Sequence, residues 1–205
     1  TEHDAWHLDN KKQRNLQKYA LKIANPTLVA DSNAVAKGLG NHYKNRPITV
    51  IRNGINTEHF VPGNKMLARL YFGLPVDKKV IGCSGRMEIV KGQHFLLDAL
   101  GLLSDDIHLA IAGSGSQESN LRSQAKSLNI EDRVHFLGHL DNMSSFYQAL
   151  DVFCLPSLNE GFPLSPLEAQ SCGIRTVVTN VGGSIETVCP ETGDAVEKES
   201  PIALS

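Results

Sequence analysis

The stretch VIGCSGRMEIVKGQHFLLDALGLLSDDIHLAIAG, residues 80–113, carries the pattern that decides the fold class. Its two ends, 80–84 and 107–113, are short continuous apolar runs, which are typical of strands buried on both faces of a sheet. Between them, residues 93–103 repeat apolar side chains at the spacing of one helix face. This order predicts two parallel strands joined by a crossover helix.

The same alternation continues toward the end of the chain. Further strand patterns lie at 133–138, 151–156 and 175–179, and further helical patterns at 118–128 and 141–150. Asp141 opens the last helix as the expected N-cap. We therefore predict an α/β fold, a Rossmann-like parallel sheet with helices on both faces. Such sheets bind ligands outside the carboxyl ends of their strands.

The first part of the chain repeats this alternation on a smaller scale. Helical patterns lie at 11–24 and 34–43, and strand patterns at 27–32 and 47–53. Asn53-Gly54 then gives a strong turn signal. We therefore predict a domain boundary here, with residues 1–52 as one domain and residues 53–205 as the other.

Composition excludes several classes of protein. The 205 residues carry a net charge of −2, whereas a nucleic-acid-binding domain is expected to have a basic excess. The four cysteines form no CxxC pattern, so we expect buried free thiols in a reducing compartment. No apolar run approaches the roughly 18 residues of a membrane-spanning helix. The chain lacks an initiator Met and ends on the pattern of an incomplete helix, which favours a fragment of a longer protein.

The loop GRMEIVKG, residues 85–92, holds two candidate phosphate ligands. It follows a predicted buried strand, so it should lie at the carboxyl edge of the sheet. Arg86 offers a planar fork of donors and Lys91 a point charge, and both suit phosphate oxygens. Their spacing allows both cations to reach one diphosphate. The alternative is two solvated surface charges.

The next strand ends in Ala112-Gly113-Ser114-Gly115-Ser116. Glycine permits close approach of the backbone to a ligand, although a tight turn after the strand explains the pattern equally well. A dinucleotide-binding fingerprint requires a third glycine where Glu118 stands. The broken fingerprint disfavours a nicotinamide-dependent dehydrogenase.

The stretch LPSLNEGFPLSPLEAQSCG, residues 155–173, is the richest in chemistry. Ser165 and Glu168 form a capping-box pattern, with Pro166 at the first helical position and Gly173 placed to end the helix. The start of this helix is a candidate phosphate site. Glu160 lies just before it and should accept hydrogen bonds from neutral groups such as sugar hydroxyls. The alternatives are an exposed loop acid for Glu160 and a capping role alone for Glu168.

Together these motifs resemble the GT-B, GT4-type family of retaining glycosyltransferases over residues 27–196. The resemblance is carried by GRMEIVKG, AGSGSQ, RVHFLGHL, LPSLNEGFPLSPLEAQSCG and VVTNVGGSIE, in this order and spacing. Within them, Glu160 and Glu168 form an E-x7-E element. IRNGINTEHFVP resembles the stretch between the two domains of that family, so residues 53–205 would be its C-terminal nucleotide-sugar-binding domain and residues 1–52 a remnant of the N-terminal, acceptor-side domain.

The resemblance also implies roles for individual residues. Arg86 and Lys91 would hold the donor diphosphate, Glu160 the donor sugar hydroxyls and Glu168 the ribose hydroxyls. His3 would approach the reacting sugar, which makes Glu160, Arg86, Lys91 and His3 the candidate catalytic set. The remaining candidates are Gly113 and Gly115 lining the cleft, Gly138, His139 and Leu140 beside the base, and the backbone of Gly161, Phe162, Pro163 and Leu164 at the phosphate.

The implied function is transfer of a hexose from a UDP-sugar or GDP-sugar, with retention of configuration and without a metal or other cofactor. The acceptor would be a saccharide or lipid-linked molecule bound by the missing N-terminal domain, in polysaccharide, lipopolysaccharide or glycolipid synthesis. The resemblance implies a cytoplasmic protein and allows peripheral association with the inner face of the membrane. The fragment alone should be inactive. Alternatives are a nucleotide-binding or regulatory module without turnover, and a related GT-B phosphorylase or epimerase.

Overall fold

A computed structural model describes residues 11–43 and 46–205 of the chain. The first part forms a small two-stranded parallel sheet with two helices. Its elements are α1 (Lys11–Ala24), β1 (Leu28–Ala30), α2 (Asn33–His42) and β2 (Ile48–Val50). A separate small core of buried residues, which includes Leu28, Val35 and Leu39, holds these elements together.

The rest of the chain builds a six-stranded sheet in which every strand pair is parallel. Its strands are β3 (Lys79–Ser84), β4 (Ile107–Ala112), β5 (Val134–Gly138), β6 (Val152–Leu155), β7 (Arg175–Thr179) and β8 (Gly193–Val196), in the spatial order β5-β4-β3-β6-β7-β8. The helices are α3 (Lys65–Phe72), α4 (Gln93–Leu102), α5 (Glu118–Ser127), α6 (Met143–Gln148), α7 (Ser165–Ser171) and α8 (Pro201–Leu204).

The central strand pairs bury both faces, as their apolar runs predict. In β4, Leu109 and Ile111 belong to a core cluster shared with α4 and α5, whereas Ala110 and Ala112 belong to a second cluster shared with α6 and α7. Successive strand residues point to opposite faces, so these two clusters lie on opposite sides of the sheet. The prediction of a Rossmann-like parallel sheet with helices on both faces is confirmed.

Several local predictions are wrong. The turn near the proposed boundary forms at 57–59 and not at Asn53-Gly54, because the Asn56 side chain accepts hydrogen bonds from the amides of Glu58 and His59. The N-cap of α6 is Asn142 and not Asp141, since the Asn142 side chain accepts the Ser145 amide at 3.0 Å. The sequence patterns also miss α3 and β8. No helix in the described part of the chain is long and apolar enough to cross a membrane.

One carboxylate joins the start of α2 to the six-stranded sheet. Glu186, in the turn after β7, accepts the backbone amides of Asn33 and Ala34 at 3.1 and 3.0 Å, and it pairs with Arg52 at 2.9 Å. Burial alone would raise the pKa of Glu186, but these donors outweigh it and lower the pKa. The described contacts therefore cross the predicted 52/53 boundary, and the division into two domains stays a prediction.

A second carboxylate ties helices and strands together at the amino end of the sheet. Asp151 accepts Arg69 at 2.6 Å and the Val80 amide at 2.7 Å through one oxygen, and Lys65 at 2.8 Å through the other. The buried Arg69 also donates to the carbonyl oxygens of Ala149 and Lys78, at 2.9 and 2.8 Å. Burial raises the pKa of Asp151, but the hydrogen bonds from Lys65, Val80 and Arg69 lower it further than burial raises it.

Candidate functional site

A cleft of about 400 Å³ opens at the carboxyl ends of the central strands. From β3 the chain runs outward through β4 and β5 on one side, then returns to build β6, β7 and β8 on the other. The point where strand order reverses lies between β3 and β6, which is where parallel sheets of this kind bind ligands. The volume is in the range typical of small-molecule sites.

Most of the predicted site residues lie on this cleft. Nine of them line it: Arg86, Lys91, Gly113, His139, Leu140, Glu160, Pro163, Leu164 and Glu168. Four others, Gly115, Gly138, Gly161 and Phe162, are not among its lining residues. His3 lies outside the described residues. The roles assigned to all of these residues stay predictions, but the loops after four strands do bring most of them together.

Lys91 and Glu160 form an ion pair inside the cleft. Lys91 Nζ lies 2.6 Å from Glu160 Oε1, and the two side chains are 22% and 10% exposed. The hydroxyl of the buried Ser157 donates to the same oxygen at 2.6 Å. The sequence led us to expect only neutral partners for Glu160. Instead, the loops after β3 and β6 bring a cation to it.

Two glycines allow the loops around this pair to pack closely. Gly113 has a φ of 134°, and a Cβ there would collide with the carbonyl oxygen of Gly85. Gly182 has a φ of 51°, and a Cβ there would collide with the carbonyl oxygen of Glu160. Both backbone conformations are unfavourable for other residues. A side chain at either position would therefore displace a loop that carries cleft residues.

Glu168 lies on α7, but the capping box predicted for it is wrong. The helix begins at Ser165 with Leu164 as N-cap, and no side chain in the described part of the chain caps its first turn. The backbone of Leu164 is already helical, so Ser165 lies inside the helix and not before it. Glu168 Oε2 instead accepts the hydroxyl of Tyr147 at 2.6 Å. The predicted end of the helix is confirmed, because Gly173 follows α7 with a φ of 80°.

Sequence reasoning missed about half of the lining residues. These are Ser84, Gly85, Ala112, Ser114, Met143, Tyr147, Leu155 and Ser165. Most of them lie at the carboxyl end of a predicted strand or directly after it, so the rule that such edges bind ligands could have found them. Met143 and Tyr147 have no such signal, because they lie on a helix whose pattern indicates only core packing.

The cysteines take no part in this arrangement. Cys83, Cys154 and Cys172 are buried free thiols, as their apolar neighbours predict, whereas Cys189 is exposed. Burial raises the pKa of Cys83 to about 12, although Lys91 opposes this and Glu160 adds to it. The Cys83 thiol is therefore protonated and a poor nucleophile. Among residues 11–43 and 46–205, no group of three or more His, Cys, Asp or Glu side chains could hold a metal ion.

A family model matches the part of the sequence that builds this cleft. Residues 69–205, about two thirds of the chain, match the model described as glycosyl transferases group 1. The chain belongs to this family. The matched part includes all six strands of the large sheet and every predicted site residue except His3.

Two curated relatives of this group 1 glycosyl transferase are similar to it over much of its length. The lipopolysaccharide core biosynthesis mannosyltransferase LpsB of Rhizobium meliloti is 36% identical over 170 residues, covering 78% of this chain and 48% of LpsB. The D-inositol 3-phosphate glycosyltransferase of Mycolicibacterium smegmatis is 38% identical over 143 residues, covering 66% of this chain and 33% of that enzyme. The chain thus spans half or less of the length of these relatives.

Solved structures agree on the fold. HepE of Anabaena, crystallised with UDP and glucose, superposes with a TM-score of 0.87 at 24% identity, over 98% of this chain and 58% of HepE. Sucrose-phosphate synthase from Thermosynechococcus elongatus gives a TM-score of 0.83 at 28% identity, over 95% of this chain and 51% of the synthase. The large sheet is therefore the C-terminal Rossmann-like domain of a GT-B glycosyltransferase.

Proposed function

We propose that this group 1 glycosyl transferase binds a nucleoside-diphosphate sugar in the cleft between β3 and β6. In the whole protein it would transfer the hexose to an acceptor with retention of configuration. The observation that carries the proposal is the partly buried Lys91–Glu160 pair at the point where strand order reverses. A cation and a carboxylate held side by side there suit a ligand with a diphosphate next to hydroxyl groups.

The cations would act on the leaving group. Breaking the bond between the sugar and the diphosphate leaves negative charge on phosphate oxygens, and preorganised cations stabilise that charge as it develops. Arg86 and Lys91 line the same cleft on one loop, so both can face one diphosphate. Lys91 has three donors and Glu160 occupies one of them, which leaves two for phosphate oxygens.

Glu160 would orient the sugar. Its contacts with Lys91 and Ser157 both fall on Oε1. Because an ionised carboxylate has two acceptor oxygens, Oε2 can accept hydrogen bonds from donor hydroxyls while Oε1 keeps the side chain in place. Glu168, across the cleft on α7, would accept the ribose hydroxyls.

The names of the relatives support proposals for both the acceptor, a saccharide or lipid-linked molecule, and the donor. LpsB is named for lipopolysaccharide core biosynthesis, and HepE was crystallised with UDP, with glucose and with UDP-glucose. We therefore propose a UDP-sugar or GDP-sugar as donor and a role in surface polysaccharide, lipopolysaccharide or glycolipid synthesis. The acceptor would bind to the part of the whole protein that corresponds to the rest of these longer relatives.

A thermal-shift panel tests the donor site. The chain is melted with UDP, GDP, ADP and their sugars at millimolar concentration, with EDTA present to remove divalent metals. Binding to the native state alone should stabilise it by roughly 2.7 kcal/mol at about 100 times the dissociation constant. NAD serves as the control ligand and should have little effect. The proposal fails if none of the three diphosphates shifts the melting temperature.

A further inference from the structure

Tyr147 connects the core of the molecule to the cleft. The side chain is fully buried, and its ring makes edge contacts with Phe60, Phe146 and Phe153 at centroid distances of 5.5–5.9 Å. Tyr147 is nevertheless one of the cleft-lining residues, and its hydroxyl donates to Glu168 Oε2 at 2.6 Å. A ring packed on several sides fixes the position of that hydroxyl.

Glu168 needs such support. It stands on α7, a helix of only seven residues without a side-chain cap, and a glutamate has three rotatable side-chain bonds. Its described side-chain hydrogen bond is the one to Tyr147. An acceptor that must meet ribose hydroxyls in one geometry is effective only when its own rotamer is fixed.

The Tyr147 hydroxyl keeps the proton that it donates in its hydrogen bond to Glu168. Burial raises the pKa of Tyr147 well above its usual range, and the neighbouring Glu168 carboxylate raises it further. The Ser84 side chain, at the end of β3, opposes this shift in the pKa. The hydroxyl therefore stays protonated throughout the physiological pH range.

We infer that Tyr147 is a positioning residue for the ribose. It occupies Oε2 of Glu168 and thereby leaves Oε1 to face the sugar of the nucleotide, so the site prefers a ribose that carries both of its hydroxyls. This inference rests on the proposed nucleotide-sugar site. It goes beyond that site because Tyr147 itself needs no contact with the ligand.

The test compares ligands with and without the ribose hydroxyls. Calorimetric affinities for UDP, GDP and their 2′,3′-dideoxyribose analogues are measured for the unchanged chain and for Tyr147→Phe. The variant should lose roughly ten- to 150-fold in affinity for the ribose form of whichever diphosphate binds, the scale of one hydrogen bond to a charged group. Affinity for the dideoxyribose form should not change. A partly unfolded variant would weaken both ligands alike, so the ratio of the two affinities reports positioning alone.

Two further variants show whether Tyr147 acts through Glu168. In a Glu168→Ala background, Tyr147→Phe should cause no additional loss of ribose-diphosphate affinity, because residues that act through one contact are not additive. Tyr71→Phe is the matched control, since Tyr71 is 73% exposed and is not among the cleft-lining residues. It should leave both affinities unchanged.

The outcomes separate this inference from the proposed function. Equal losses for both ligand forms in Tyr147→Phe, additive losses in the double variant, or an unchanged chain that binds both forms equally would each overturn the positioning role while leaving the donor site intact. If the unchanged chain binds none of the diphosphates, the proposed function fails and the inference fails with it.

Discussion

Each end of the large sheet holds an ion pair between a basic residue and a carboxylate. The two pairs differ in how many of their donor and acceptor atoms are already hydrogen-bonded. At the amino end, Arg69 uses its Nε and both terminal nitrogens on Asp151 and on carbonyl oxygens, and both oxygens of Asp151 are occupied. In the cleft at the carboxyl end, both described contacts of Glu160 fall on one oxygen, and Lys91 Nζ contacts only that oxygen among the residues that the structure describes. A pair whose hydrogen bonds are complete supports the fold, whereas an incomplete one has atoms left for a ligand.

The basic side chains of the two pairs also differ in exposure. The Arg69 side chain is 4% exposed and the Lys91 side chain 22% exposed. Removing one partner from a buried pair leaves an uncompensated charge in the core, but a cation at a cleft can be replaced by water. The comparison therefore predicts that equivalent substitutions at the two ends damage different properties.

The largest expected effect is on stability at the amino end. Arg69→Met should lower the free energy of unfolding by about 3–5 kcal/mol, because Asp151 loses its buried partner. Urea denaturation measures this loss. Asp151→Asn in the same chain should restore part of it, and the folded fraction of Arg69→Met should bind diphosphates as the unchanged chain does. If Arg69→Met weakened diphosphate binding but kept normal stability, the assignment of this pair to the fold would be wrong.

At the carboxyl end, the expected effect is on binding. Lys91→Met should weaken UDP and GDP binding by about 1.5–3 kcal/mol, the cost of one lost hydrogen bond to a charged group. Affinity for the nucleosides should stay nearly constant, because they lack the diphosphate. Lys79→Met, on an exposed lysine at the start of β3, is the matched control. Titration calorimetry distinguishes the proposal from a general charge effect, which would weaken binding in both variants.

Acid should remove the contribution of Asp151. Its pKa is lower in the folded chain than the usual aspartate value of about 3.9, so its stabilisation is complete above that value and is lost as pH falls through the folded pKa. The difference in unfolding free energy between the unchanged chain and Asp151→Asn should therefore be constant near neutral pH and narrow below about pH 4. A difference that stays constant down to pH 2 would show that the carboxylate charge contributes nothing.

The smallest expected effect comes from the third member of the amino-end group. Lys65 also contacts Asp151, but its side chain is 46% exposed. Exposed ion pairs contribute about 0–1 kcal/mol, so Lys65→Ala should change stability within that range. Urea denaturation of Lys65→Ala and Arg69→Met in parallel checks that the loss of stability is smaller in Lys65→Ala. If the two variants were equally destabilised, burial would not be what separates the two cations.

The sheet could be predicted from the sequence because each central strand is buried on both faces and therefore reads as a continuous apolar run. β8 could not, since this edge strand carries Gly193 and Asp194. Helix α3 was missed for a related reason. Its outward positions Met66 and Leu70 are exposed and apolar, so no polar face marks the helix period.

The candidate site was predictable where its chemistry lies in loops and not where it depends on contacts between distant residues. Glu160 and Lys91 each follow a strand, but their pairing joins positions 69 residues apart. The contact between Tyr147 and Glu168 spans 21 residues and replaces the local capping pattern that the sequence favours. The local pattern predicts a partner for Glu168 within its own helix, whereas the packing of α6 against α7 brings Tyr147 to it.

The Glu186 carboxylate limits how the two sheets can move relative to each other. Two backbone amides from the first turn of α2, the side-chain amide of Asn33 and one guanidinium meet on its two oxygens. A gradual sliding of α2 would misalign all of these donors at once, because each hydrogen bond tolerates little change in direction. We therefore expect motion at this junction to be either small vibration about the closed position or complete release, in which water takes over the amides and the carboxylate together.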